Sequence, residues 1–387
     1  MPTAALYIHI PFCEKRCVYC DFYTVAGVGS RIPDYIAALK KEIVRRAAES
    51  FWQRQRFATI FFGGGTPSLL SPQQIFEILG AALSLFNFEK HPEITLEANP
   101  GTITVEQLAK YRAAGINRLS FGVQSLHADE LQRLDRIHSP QQAIDAVLMA
   151  RQAGFENINM DFIFALPQQT IPRWQKNLTQ AVALQPAHIS AYNLAIEEGT
   201  PLDIKIRKGE MQPLSEEEER EFYQFTIDFL ERHGYRQYEV SNFSQPNFEA
   251  RHNIKYWDGS FYLGLGASAH SYDGERRFWN VANLRKYLEA LAADRLPEDR
   301  SEQLTKQQQM FEMAFLGLRR RRGVDLSAFA KRFHQSFDET FNGVAHELEN
   351  GGLLMRRDNF LQLTREGFFL CDAICTRLGT QLNTHSE

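Results

Sequence analysis

The feature that most constrains this chain is a recurring pattern rather than a recurring residue. Between about residues 3 and 240, a short apolar run, a polar loop and an amphipathic stretch follow one another repeatedly. The apolar runs lie at 6–10, 59–62, 94–97, 118–122, 158–164 and 188–195. Each has the length of a strand, and the intervening stretches keep helical period: Tyr35, Leu39 and Ile43 fall on one face of a helix expected over 35–47. Ser71, Thr104, Ser139 and Ser215 stand three residues before Gln74, Gln107, Gln142 and Glu218, the spacing of a reciprocal capping box. Gly115, Gly154 and Gly234 sit where those helices should end in a left-handed cap. Glu216–Glu219 put four carboxylates in a first helical turn, where the helix dipole favours them.

Alternating strand and helix implies parallel strands joined by right-handed crossovers. Six such units fit an open or partial β/α barrel, with a doubly wound sheet as the alternative. In a barrel the chemistry gathers at the C-terminal ends of the strands. The loops expected there, 13–20, 63–67, 97–100, 122–125, 161–167 and 194–201, carry most of the chain's unusual residues.

Past residue 240 the pattern changes. Residues 241–300 are rich in Asn, Gly, Ser and aromatic side chains, and read as a barrel extension over the open side, with a helix near 284–293. A capping box at Thr305 and Gln308 opens a further helix. Shorter helices are expected over 326–333 and 337–350, then two strand-like runs within 353–363 around a turn at Asp358-Asn359. Helices with a β-ribbon resemble a winged-helix module, so the expected division is 1–240, 241–300 and 301–387. The run Arg319–Arg322 reads as a solvated helix terminus. With a net charge of −4 it makes nucleic acid an unexpected partner. Cys371 and Cys375, four apart on the last helix, read as thiols on an apolar face.

Hydrophobic content of 44% and charged content of 23% are those of an ordinary globular protein, and no stretch approaches a membrane span. The N-terminus runs straight into a strand-like segment. Of five cysteines, three crowd into residues 13–20, which argues against a disulfide framework and for a reducing compartment. The expected location is the cytoplasm.

Those three, Cys13, Cys17 and Cys20, are spaced Cys-x3-Cys-x2-Cys among the charged residues Glu14, Lys15 and Arg16. Chance clustering of buried thiols, a zinc site completed by His9, and a 4Fe–4S cluster with one open iron are the three readings. Spacing and position after a first strand resemble the radical S-adenosylmethionine superfamily, in which an aromatic residue, here Tyr19, precedes the last cysteine. The resemblance implies that the open iron chelates S-adenosylmethionine and that the cluster can cleave it to a deoxyadenosyl radical. Gly63-Gly64-Gly65-Thr66-Pro67 fits the glycine motif that lets backbone approach the methionine amino group; no Gly-Lys-Ser/Thr follows, as a phosphate loop would need.

Further positions resemble the oxygen-independent coproporphyrinogen III oxidase branch of that superfamily. By that resemblance Tyr7, Gly64, Gly65, Thr66, Glu97, Gln124, Arg136, Asp161 and Ala195 are expected to contact S-adenosylmethionine. The similarity extends to about Arg377 and takes in the winged-helix-like module. Two features separate members of the branch. The oxidases carry a further cysteine two residues after the third ligand, where this chain has Phe22. His252-Asn253-Ile254-Lys255-Tyr256-Trp257 is similar to the His-Asn-x-x-Tyr-Trp motif of the HemW-type haem chaperones, which implies haem contact at His252; His270 is a weaker candidate. The resemblance therefore implies a chaperone that binds haem and delivers it to acceptor haemoproteins, with membrane-associated acceptors and a homodimer both open. Oxidative decarboxylation of coproporphyrinogen III is the alternative activity.

Overall fold

The computed structural model describes residues 3–382. Strands β1 (Ala4–Ile10), β2 (Arg56–Gly64), β3 (Asn87–Ala98), β4 (Arg118–Gln124), β5 (Asn157–Phe164) and β6 (His188–Asn193) are parallel and lie side by side in chain order. Sequential order without a reversal is that of a partial barrel, not of a doubly wound sheet. The helices between them begin as their sequences dictate: Ser71, Thr104, Ser139 and Ser215 each form a complete capping box. Gly115, Gly154 and Gly234 take φ of 116°, 87° and 86° at the helix ends.

Alternation along the strands divides the sheet into two chemically different faces. Leu6, Ile8, Ile60, Phe62, Leu96, Leu119, Met160 and Ile189 point outward and are buried against the crossover helices. Each contributes roughly 2 kcal/mol of burial free energy. The opposite parity, facing the barrel interior, is polar: Thr59, Thr95, Glu97, Arg118, Ser120, Asn159, Asp161, His188 and Ser190. A barrel with an interior of this kind is built to hold something other than side-chain hydrocarbon.

Residues 241–300 widen the sheet rather than simply lying over it. Tyr262–Leu265 pairs in parallel with the free edge of β1, and His270–Tyr272, Arg276–Asn280 and Glu298–Gln303 follow antiparallel. At the other edge Asn242–Ser244 pairs antiparallel with β6. The short helix Arg251–Trp257 packs on β1 and β2. The helix expected near 284–293 is Leu284–Ala292.

A second hydrophobic core spans Met310 to Leu382. Its three-stranded sheet, Val324–Asp325, Phe360–Leu363 and Leu354–Arg357, sits among helices that begin with Lys306–Leu318. The helix expected over 337–350 is broken into Phe337–Thr340 and Val344–Asn350, because Gly343 adopts φ 75° between them. The arginine run ends a helix, as expected, with Arg322 exposed and Arg319, Arg320 and Arg321 part-buried. Arg319 lies over the Phe315 ring at 3.5 Å, Arg322 over Phe360 at 4.6 Å and Arg321 over Phe368 at 4.9 Å. Three of the four guanidinium groups thus lie over aromatic rings while keeping contact with water. Cys371 and Cys375 are buried in that core. Among the described residues no helix is long and apolar enough to cross a membrane.

Candidate cofactor site

At the C-terminal ends of the six strands is a cavity of about 460 Å³, within the range of small-molecule sites. All six strand-end loops contribute to it. Cys13, Cys17 and Cys20 form one wall, Gly64, Gly65 and Thr66 a second, and Tyr19, Glu97, Gln124, Arg136, Asp161 and Ala195 are among the rest of the lining.

The cysteine loop is shaped from within. Phe12–Cys13 pairs with Val25–Ala26, which closes the loop at its base. Arg16 donates from Nε and Nη2 to the Cys20 carbonyl at 3.2 and 2.9 Å. All three thiols are free and half-buried. Burial pushes the Cys13 and Cys20 thiols up, so a metal must displace their protons on binding. Thr66 Oγ1 lies 3.6 Å from Cys13 Sγ, and Arg136 Nη1 lies 3.5 Å from Cys17 Sγ. These are donors aimed at sulfurs that would carry negative charge in a cluster.

The donor set fits a cluster better than a zinc ion. His9, the fourth zinc ligand considered from sequence, has both ring nitrogens engaged: Nδ1 with Tyr7 Oη at 3.1 Å and Nε2 with the Tyr23 carbonyl at 2.9 Å. Among the described residues no three His, Cys, Asp or Glu side chains close around the position of a single ion. Three thiols spread along one cavity wall, with no fourth protein ligand, suit a cluster that leaves one iron for a chelating small molecule.

The glycine loop after β2 is held against the cysteine loop. Gly65 N donates to the Ile10 carbonyl and Thr66 N to the Phe12 carbonyl, both at 2.8 Å. A Cβ on Gly65 would stand 2.7 Å from the Phe12 oxygen. Gly64 takes φ 107°, and a Cβ there would stand 2.4 Å from the His9 ring. The glycines are therefore required by the approach of the two loops, beyond whatever ligand the exposed backbone meets.

The polar lining is set by the inner parity of the strands. Glu97 accepts from Gly64 N at 3.3 Å, and burial, then the nearby Asp161, raise its carboxyl to about 8. Asp161 accepts from Ser120 Oγ at 2.9 Å and Asn159 Nδ2 at 2.7 Å, and burial raises its carboxyl too. Arg136 is pinned by the Gly122 carbonyl at 2.6 Å and Asn99 Oδ1 at 3.3 Å. Gln124 ends β4 with φ 65°, an uncommon conformation for a residue with a Cβ, beside an irregularity in the β4–β5 register that turns it toward the cavity.

Tyr7, expected at S-adenosylmethionine, and His252, expected at haem, both lie outside this cavity's lining. Tyr7 is one layer below the cavity lining, with its ring near Gly63 and its hydroxyl on His9. His252 is only 1% exposed and lies outside the cavity lining. Its Nδ1 bonds Thr59 Oγ1 at 2.8 Å, its Nε2 bonds Tyr256 Oη at 3.0 Å, and its ring stacks on Phe61 at 4.9 Å. Glu93 caps its helix by accepting from the backbone N–H of Arg251 and His252. Burial, then the charge of Arg118, lowers its imidazole to about 3, so it is neutral. His270, by contrast, is exposed and stacked on Trp279 at 5.3 Å. Sequence reasoning missed Asn99, Ser120 and Tyr192, which also line the cavity. The parity of β4 and β6 was the available signal for Ser120 and Tyr192.

Residues 7–179 match the model of the Radical SAM superfamily, and residues 304–370 match that of the HemN C-terminal domain. The chain is 35% identical over 369 residues to the Heme chaperone HemW of Bacillus subtilis, covering 94% of this chain and 96% of that protein. It is 37% identical to the Heme chaperone HemW of Lactococcus lactis, covering 95% of each. Among solved structures, the coproporphyrinogen III oxidase HemN of Escherichia coli superimposes with a TM-score of 0.84 at 26% identity, over 98% of this chain and 90% of that one. The chain belongs to the radical SAM superfamily and, within it, to the HemW family.

Proposed function

We propose that this protein binds haem and passes it to acceptor haemoproteins, carrying a 4Fe–4S cluster on Cys13, Cys17 and Cys20 and S-adenosylmethionine beside it. The superfamily implies the cluster and S-adenosylmethionine, and the thiol wall and the lined cavity support both. Gly64, Gly65 and Thr66 offer backbone to the methionine end. Glu97, Gln124, Arg136, Asp161 and Ala195 surround the remainder, Tyr19 packs beside the cysteines, and Tyr7 acts from beneath through His9. When bound, the reduced cluster can supply one electron to the sulfonium; the chain's own part is to position that pair and keep water from it.

The observation that carries the choice of task is Phe22. Its side chain is 62% exposed at the cavity rim, where the oxidases of the branch carry a further cysteine. The relatives named as haem chaperones support the same choice over nearly their full length. Haem contact is assigned to His252 on the strength of its motif, and its neutral imidazole is the form that ligates iron. Contact there requires the His252 ring to give up a hydrogen bond to Thr59 or to Tyr256. The three-part division at 240 and 300 is retained, with the separate second core in its favour. The acceptors, membrane-associated ones included, a homodimeric state and a cytoplasmic site of action belong to the same proposal.

The test is a titration of haemin into cluster-bearing protein, read in the Soret region, for wild type, His252→Ala and His270→Ala. Tight binding lost only in His252→Ala supports the assignment. Loss only in His270→Ala moves the contact to the exposed histidine. Weak binding by all three removes the haem proposal.

The second reading is oxidation of coproporphyrinogen III, favoured by the close superposition on HemN. It requires protoporphyrinogen and 5′-deoxyadenosine from reduced, cluster-bearing protein. Absence of both with an intact cluster excludes it.

A further inference from the structure

Arg118 begins β4 and points into the barrel interior, level with Thr95 on β3 and Asn157 on β5. It is 1% exposed. Among the described residues its Nε has no hydrogen-bond partner, and the guanidinium enters no ion pair. A buried, unpaired guanidinium is costly, and arginine does not escape by losing its proton. Something in the interior must make the charge worth keeping.

Two residues further along β3 stands Glu97, and Asp161 stands on β5, both turned into the cofactor cavity and neither ion-paired. The field of Arg118 acts on both carboxyls in the direction of ionisation. The other titratable groups facing this space are Tyr7 on β1, Glu93 on β3, His188 and Tyr192 on β6, Tyr238 and Glu239 just before Asn242–Ser244, and His252 and Tyr256 on the short helix. Both histidines are held neutral and the four phenols keep their protons; Glu93 is taken up by the N–H groups of Arg251 and His252, and burial raises the Glu239 carboxyl to about 7, so Arg118 is the fixed cation of this interior. Arg136, at the cavity rim, is committed to Gly122 and the Cys17 sulfur.

The Glu97 and Asp161 carboxyls, with one cation beneath them, do not both ionise readily. A ligand carrying positive charge changes that balance, and S-adenosylmethionine, with its ammonium and sulfonium, is such a ligand. We propose that Arg118 is a positioning residue: a fixed counter-charge beneath the cavity that keeps one of the Glu97–Asp161 carboxyls ionised, so that binding of the cationic cofactor ionises the other and releases its proton to solvent. The balance is one O–H bond lost at a carboxyl oxygen and one proton gained by buffer. This inference rests on the reading that S-adenosylmethionine occupies the cavity.

The experiment is calorimetric titration of S-adenosylmethionine into anaerobic, cluster-bearing protein from pH 6 to 9. Two buffers of different ionisation enthalpy are used, for wild type, Arg118→Met and Arg118→Lys. Below pH 8 the wild type should release a proton, and its affinity should rise about tenfold from pH 7 toward its alkaline plateau. Arg118→Met should shift that profile upward and bind several-fold more weakly at pH 7.5, while Arg118→Lys restores it. Buffer-independent heats, or an Arg118→Met profile superimposed on wild type, overturn the proposal. If no variant binds S-adenosylmethionine although the cluster is intact, the cavity reading itself has failed. The infrared carboxylic-acid band of ligand-free protein then decides the role of Arg118 separately. That band, assigned with Glu97→Gln, must persist to higher pH in Arg118→Met, and an unmoved band overturns the role.

Discussion

Replacing His252 by alanine tests whether the histidine of the His-Asn-x-x-Tyr-Trp motif is sealed in the resting protein. The substitution removes hydrogen bonds to Thr59 Oγ1 and Tyr256 Oη. It leaves the Thr59 hydroxyl, on a fully buried residue, without its partner. An unmet buried polar group costs about 1–3 kcal/mol, and the vacated ring position against Phe61 adds about 2 kcal/mol. The expected loss is about 4 kcal/mol near neutral pH. The pH dependence carries a sign. The imidazole is lowered to about 3 in the fold against 6.5 unfolded, so acid favours the unfolded chain, which takes up the proton. Wild type therefore loses this part of its stability as pH falls from 6.5 toward 3, by about 1.4 kcal/mol for each unit. The alanine variant lacks that component, so the gap between the two should narrow by roughly that amount between pH 7 and 5.5. Equilibrium urea unfolding of haem-free protein at both pH values measures it. A difference below about 1 kcal/mol that is the same at both pH values would show a solvated side chain and refute the reasoning.

Other substitutions separate the loops. Gly65→Ala places a Cβ 2.7 Å from the Phe12 carbonyl oxygen, so it should force the glycine and cysteine loops apart. The readout is a loss of iron retained after reconstitution, with far-ultraviolet dichroism unchanged. Gln124→Gly relieves a φ of 65° and should change stability by no more than about 1 kcal/mol in urea, the relief opposing the extra freedom of glycine in the unfolded chain. Phe22→Cys alters a side chain that is 62% exposed. It should leave the unfolding midpoint within about 0.5 kcal/mol of wild type and should not by itself confer decarboxylation, read as protoporphyrinogen formed. Ser139→Ala removes a complete capping box and should cost about 1 kcal/mol in the same unfolding assay.

The barrel was legible in the sequence because its signals are local. Capping boxes at Ser71, Thr104, Ser139 and Ser215, and glycines at 115, 154 and 234, act within one turn of chain, and each formed as expected. The cavity lining was legible because strand ends in such a fold converge, which brought Glu97, Gln124 and Asp161 together from three strands. What escaped depended on packing between distant segments. Nothing near His252 announces that Thr59, Phe61 and Glu93 will enclose it. Nothing in the run Arg319–Arg322 announces that Phe315, Phe360 and Phe368 will lie beneath three of its guanidinium groups. Arg118 shares the inner parity of Ser120 on β4, but nothing local marks it as buried without an ion-pair partner.

The most direct test of the proposed task is transfer itself. Cluster-bearing protein loaded with one equivalent of haem is mixed anaerobically with an apo-haemoprotein, and the acceptor's Soret spectrum is followed with and without S-adenosylmethionine. The account predicts stoichiometric loading, and faster or fuller transfer by cluster-bearing protein than by Cys17→Ser. Transfer no faster than from free haem, together with turnover of coproporphyrinogen III by the same preparation, would contradict it.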